Sequence, residues 1–131
     1  MIAPVELPAT AGPGTPAGMV VYVVRDLLFV SKIREAAEPL GVPLTGVRDV
    51  ETLPGVAAGA RLVVIDLGLP AAMRALELLA SDPSTAAIPT VGFVGHERTD
   101  VIETAKALGC GRVMAKGEFA GRVGGLLREA L

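Results

Sequence analysis

The residues of this chain whose types could do chemistry stand directly behind apolar runs. The clearest is Asp66 in RLVVIDLGLP (Arg61–Pro70): an unbroken apolar run, Leu62 to Ile65, leads into one carboxylate and a turn closed by Pro70. Such a run reads as a strand buried on both faces, the pattern of a parallel sheet. A carboxylate at the carboxyl end of that strand sits where open α/β sheets place their ligands; taken alone, Asp66 serves equally well as a residue that ends the strand. Three more positions have the same relation to an apolar run: Arg25-Asp26 behind Met19–Val24, Gly95-His96 behind Thr90–Val94, and Lys116 behind Arg112–Ala115. His96 is the single histidine; with no second histidine it is a weak ligand signal and reads as a loop residue. Cys110 is the single cysteine, which excludes an intrachain disulfide, a thiolate metal cluster and a redox pair. Between Gly109 and Gly111 it reads as a small buried filler rather than a nucleophile. No glycine-rich phosphate loop follows any strand, which argues against a nucleotide-using enzyme.

Composition narrows the class further. The chain has 131 residues, 51% of them hydrophobic and 20% charged, which suits one folded domain and excludes a polyelectrolyte. The formal net charge is −2 and Lys and Arg are scattered as singletons, with few aromatic residues among them. That pattern argues against a nucleic-acid surface. No apolar run approaches a membrane span, and the charged-then-apolar order of a signal peptide is missing. A cytoplasmic protein is the expectation.

The elements that must position these residues alternate regularly. Residues 1–18 carry Pro4, Pro8, Pro13 and Pro16 without periodicity and read as a disordered tail; the domain is expected over 19–131. After the Met19–Val24 strand, Asp26 can cap a helix from Leu27 to about Glu38, with Leu28, Ile33, Ala36, Ala37 and Leu40 inward. Pro43–Arg48 reads as a weak edge strand, and 49–60 as a short helix broken near Pro54-Gly55. The Arg61–Asp66 strand is followed by a helix over about 71–80. Thr90–Val94 is the fourth strand; Asp100 and Glu103 resemble a capping box for the helix after it. Arg112–Ala115 is a short fifth strand ending at Lys116, and the last helix is expected over Phe119–Leu131. Five strands, each followed by a helix, give a parallel sheet with helices on both faces.

The pieces VVIDLGLP (Val63–Pro70), DPSTAAIPTVGFVGH (Asp82–His96) and ALGCGRVMAKGEF (Ala107–Phe119) resemble the receiver domain of bacterial two-component response regulators, over Met19 to Leu131. The resemblance implies a flavodoxin-like sheet of order 2-1-3-4-5. It also implies a phosphoacceptor at Asp66, a Mg²⁺ ion held by Asp66, Asp26 and the Gly68 carbonyl, and Lys116 on a phosphoryl oxygen. A hard cation and one ammonium are what a carboxylate needs to attack a phosphoryl donor, because charge gathers on the oxygens.

The departures from the family pattern weigh as much as the matches. Where receivers carry an acidic pair after the first strand, this chain has Arg25 and Asp26. Asp26 then serves as helix cap more readily than as lone metal ligand, and the Mg²⁺ site is weak or absent. Arg25 either folds toward Asp66 as an ion pair or extends into solvent; the sequence leaves both open. Gly95 replaces the hydroxyl at the end of the fourth strand, and Val113 replaces the switch aromatic before Lys116. The expectation is an atypical, stand-alone receiver-like signalling module with weak or no phosphorylation at Asp66. It is not an enzyme and works through a partner protein, a histidine kinase or downstream effector, or a second copy of the chain, on the 101–131 face. The alternatives are a working Mg²⁺-dependent phosphoacceptor and, more remotely, a flavodoxin-like small-ligand domain.

Overall fold

The structure, a computed structural model, describes residues 18–131; the tail expected over 1–18 lies outside the described residues except for Gly18. Five strands, β1 (Val20–Val23), β2 (Leu44–Gly46), β3 (Leu62–Asp66), β4 (Thr90–Val94) and β5 (Arg112–Ala115), form one parallel sheet of order β2-β1-β3-β4-β5. The topology is the expected one. β3 and β4 are buried at every residue, as central strands with helices on both faces must be. β2 has three residues and a half-open edge, in keeping with Pro43 and Gly46.

Period-two alternation sorts the strand side chains onto two cores. Val63 and Ile65 join Val21, Val23 and Leu67 under α2 (Leu53–Ala57), α3 (Ala72–Ser81) and α4 (Thr99–Ala107). Leu62, Val64, Val91 and Phe93 face the other way, under α1 (Leu27–Ala37) and α5 (Lys116–Ala130). On that second face all three phenylalanines stack. The Phe93 ring lies 4.8 Å from Phe29 and 4.4 Å from Phe119, so β4 is clamped between α1 and α5. Each such pair contributes about 0.5–1.5 kcal/mol beyond burial. Along the outer side of α5, Glu118, Arg122, Glu129 and Arg112 form a chain of half-exposed ion pairs at 3.6, 4.0 and 3.0 Å.

Local chemistry explains where the elements differ from expectation. α1 turns inward on Phe29, Ile33 and Ala37, one stripe at four-residue spacing; Leu28 is 61% exposed, not inward. Helix α1 passes into a 3₁₀ turn at Glu38–Leu40 and stops at Gly41, whose φ of 66° is left-handed. Pro54 and Gly55 lie within α2 rather than breaking it, because proline is tolerated in a first helical turn. α4 opens at Thr99 with no side-chain cap, so Asp100 and Glu103 make no capping box; Asp100 lies in the first turn, where a carboxylate suits the helix dipole. The last helix begins at Lys116, not at Phe119. Lys116 therefore opens α5 instead of ending β5.

Candidate functional site

The carboxyl edge of the sheet brings together the ends of β1, β3 and β4 and the start of α5. Asp66 is the last residue of β3, paired in the ladder with Phe93 of β4 and 9% exposed. Two short contacts fix its surroundings. The Leu67 N–H donates to the Phe93 carbonyl at 2.9 Å, and the Gly68 N–H donates to Asp66 Oδ1 at 2.9 Å. This tight turn holds one carboxylate oxygen by a backbone donor. It also brings Gly68 so close that a Cβ there would lie 3.2 Å from that oxygen.

The two residues behind β1 make their hydrogen bonds elsewhere than at Asp66. The Asp26 backbone is extended, and its Oδ1 accepts from the Leu28 N–H at 2.9 Å; it is the helix cap that the sequence favours. Arg25 reaches the other way, its Nη2 donating to the Arg48 carbonyl at 2.8 Å beyond the end of β2. Of the two readings left open for Arg25, the ion pair with Asp66 does not form. Arg48, 23 residues later, is the partner that local sequence gave no reason to name.

Lys116 is exposed and lies at the head of α5 with its Nζ 5.9 Å from the centroid of the Phe29 ring, a cation–π distance. It makes no ion pair with Asp66 among the described residues. At the end of β4 the Glu97 carboxylate folds back over Gly95: a Cβ on Gly95 would lie 2.6 Å from both of its oxygens. A carboxylate thus covers the position where the family pattern has a hydroxyl. Its signal in the sequence is only a charged residue two positions after a glycine. His96 is exposed, and Val113 is half-buried against the α2–α3–α4 core. Cys110 is buried with its Sγ 3.2 Å from the Arg112 carbonyl, and burial pushes its thiol pKa up. It is a filler, as its setting between glycines suggests.

As a cation site this edge is thin. Among the described residues no group of three or more His, Cys, Asp or Glu side chains converges to hold a metal. Asp26 Oδ1 is engaged by the helix N-terminus, which leaves Asp26 Oδ2, Asp66 and Glu97 as the carboxylate oxygens behind β1, β3 and β4. Mg²⁺ prefers near-octahedral oxygen ligation and usually keeps several waters. The donor set does not amount to a dedicated site for it.

No protein-family model matches the chain, and no curated protein matches it in sequence. Solved structures do. A response regulator from Hahella chejuensis superposes with a TM-score of 0.74 at 18% identity, covering 88% of this chain and 96% of that one. The chemotaxis response regulator CheY4 of Vibrio cholerae gives 0.71 at 13% identity, covering 88% and 99%. The receiver domain of a sensor histidine kinase from Pseudomonas aeruginosa, solved with a magnesium ion coordinated in its active-site cleft, gives 0.70 at 16% identity, covering 86% and 96%. The fold is that of response-regulator receiver domains.

Proposed function

We propose that this receiver-fold chain is an atypical signalling module that acts by binding a partner protein, with weak or no phosphorylation at Asp66. The observation that carries this reading is the capping bond of Asp26. With one oxygen of that carboxylate held by the Leu28 N–H and an arginine where receivers carry the other acid, the edge lacks the acidic pair, and no three acidic side chains converge there among the described residues. A phosphoryl group arriving at Asp66 would bring negative charge to a nearly buried carboxylate, and that charge must be neutralised for attack to proceed. Lys116, engaged over Phe29, supplies one cation at most. Gly95 and Val113 offer neither hydroxyl nor ring to carry a switch. We assign partner binding to the 101–131 face, built from α4, β5 and α5, where a histidine kinase, a downstream effector or a second copy would dock.

One observation favours the alternative, a working Mg²⁺-dependent phosphoacceptor. Arg25 leaves Asp66 free of an ion pair among the described residues, so no guanidinium stands in the cation's place, and water can complete a weak site.

Intact mass after incubation with acetyl phosphate and Mg²⁺ decides between them, with an Asp66→Asn control and an ordinary receiver labelled in parallel. The expected result is no adduct on this chain. A single phosphoryl adduct absent from Asp66→Asn would overturn the proposal and establish the alternative.

A further inference from the structure

A second feature lies away from Asp66, on the β2 side of the sheet. The ends of β1 and β2 and the first two turns of α1 enclose an open groove of about 400 Å³ lined by Tyr22, Val24, Arg25, Leu27, Val30, Arg34, Gly46, Val47 and Arg48. Leu27, Val30 and Arg34 form one stripe of α1, at spacings of three and four residues. Three arginines and no acidic residue therefore line one concavity; Arg34 also lines the next groove, beside Glu35 and Glu38.

Most arginines outside the groove have a partner; Arg128, on the last helix, is the exception among the described residues. Arg74, Arg98, Arg112 and Arg122 each pair with a carboxylate, and Arg61 donates to the carbonyls of Ala130 and Leu131. None of Arg25, Arg34 and Arg48 has an ion pair among the described residues. Arg34 stands one turn before Glu38, at ion-pair spacing but in the less favourable order, and the pair does not form. Arg25 is in addition fixed in place by the Arg48 carbonyl, so part of the ordering cost of binding is already met.

The floor is equally specific. The Tyr22 ring lies directly over Gly46, where a Cβ would come within 2.8 Å of ring carbon Cζ and 2.9 Å of the hydroxyl oxygen. Glycine at that edge position is what lets the ring lie flat. The wall beside it is apolar: Val24, Leu27, Val30 and Val47. A guanidinium is the side chain best suited to bidentate contact with phosphate, and an aromatic face suits a stacked base.

We propose that this groove binds a mononucleotide-class anion, its phosphates on Arg25, Arg34 and Arg48 and its base against Tyr22. The volume suits one nucleotide. The chain's net charge of −2 opposes a long polyanion such as nucleic acid, whose binding rests on many phosphate contacts. The arginines come from three separate elements, so no basic stripe shows in the sequence.

The test is calorimetric titration of the full chain with ADP, beside pyrophosphate, adenosine, an oligonucleotide and a poly-glutamate peptide. Saturable binding of ADP is expected, weakened about tenfold each by Arg34→Gln and Arg48→Gln and falling with salt. Tyr22→Leu should weaken ADP but leave pyrophosphate unchanged, and Arg128→Gln, away from the groove, should change neither. Absence of ADP binding, indifference to both arginine substitutions, or equal affinity for pyrophosphate and ADP would overturn the proposal. So would binding of the oligonucleotide or the acidic peptide in preference to ADP. Asp66→Asn should leave the titration unaltered, which keeps its outcome separate from that of the phosphorylation assay.

Discussion

Asp26→Asn and Asp26→Ala together separate a capping carboxylate from a metal-ligating one. Asp26 is exposed, and its recorded bond is the 2.9 Å contact from the Leu28 N–H to Oδ1. Removing a cap of this kind costs about 1 kcal/mol. Asparagine keeps the acceptor and loses only the attraction between its charge and the helix dipole, about 0.3 kcal/mol at an exposed end. For a domain of this size ~1 kcal/mol moves Tm by about 4 °C. Asp26→Ala should therefore melt about 4 °C below the parent and Asp26→Asn about 1 °C below, by circular dichroism or calorimetry. The second arm adds Mg²⁺. A cation present at about ten times its Kd would contribute ~1.4 kcal/mol, close to 6 °C. If Asp26 only caps, Mg²⁺ shifts the parent and the asparagine variant alike. A Mg²⁺-dependent rise of several degrees in the parent that disappears in Asp26→Asn would refute the reasoning and return Asp26 to the metal site.

Three other outcomes each rest on the surroundings of a single residue. Arg25→Asp places a second acid behind β1 and should tighten Mg²⁺ binding by about tenfold, because cation affinity follows ligand charge; unchanged affinity in a Mg²⁺ melting titration would count against placing residue 25 near the cation. Gly92→Ala drives a Cβ to within 2.6–2.8 Å of three side-chain carbons of Leu67, which is 2% exposed and has nowhere to move. Overpacking of about 2 kcal/mol, less ~0.5 kcal/mol regained from glycine's lost freedom, should lower Tm by about 6 °C, and a Tm at or above the parent would contradict that packing. The Cys110 thiol, with its pKa raised by burial, stays protonated at pH values where a free cysteine has begun to ionise; it should react slowly with a thiol reagent at about pH 8 and quickly once the chain is unfolded.

What the sequence conveyed and what it hid have physical causes. β1 and β3 were legible because strands buried on both faces need unbroken apolar runs, and Asp66 stood out as the polar residue ending one. Asp26 was legible as a cap because capping is decided within three residues. The start of α5 was not, since Gly117 is a poor helix former and concealed a helix already begun at Lys116. Leu28 and Phe29 are adjacent apolar residues, and only the packed core chose between the two stripes they imply. Arg25 was undecidable because its partner, the Arg48 carbonyl, lies at the end of a neighbouring strand. The arginine groove was hidden for the same reason: its walls meet only when β1, β2 and α1 assemble.

The ion pairs along α5 also bear on how quickly a partner can arrive. Glu118, Arg122, Glu129 and Arg112 hold two charges of each sign within one short chain, so their fields cancel a few ångströms into solvent. The other charges of the 101–131 segment, Lys106, Lys116 and Arg128 against Glu103, leave it a net side-chain charge of +2, so any long-range pull on an acidic partner comes from those four residues. Association of that face with an acidic partner should slow modestly as salt is added, with most differences in affinity left to the dissociation rate. The arginine groove on the far side of the sheet keeps its charge uncancelled. An anion bound there should arrive faster in dilute buffer than in salt, and Arg34→Gln should flatten that dependence for the anion while leaving the partner's arrival unchanged.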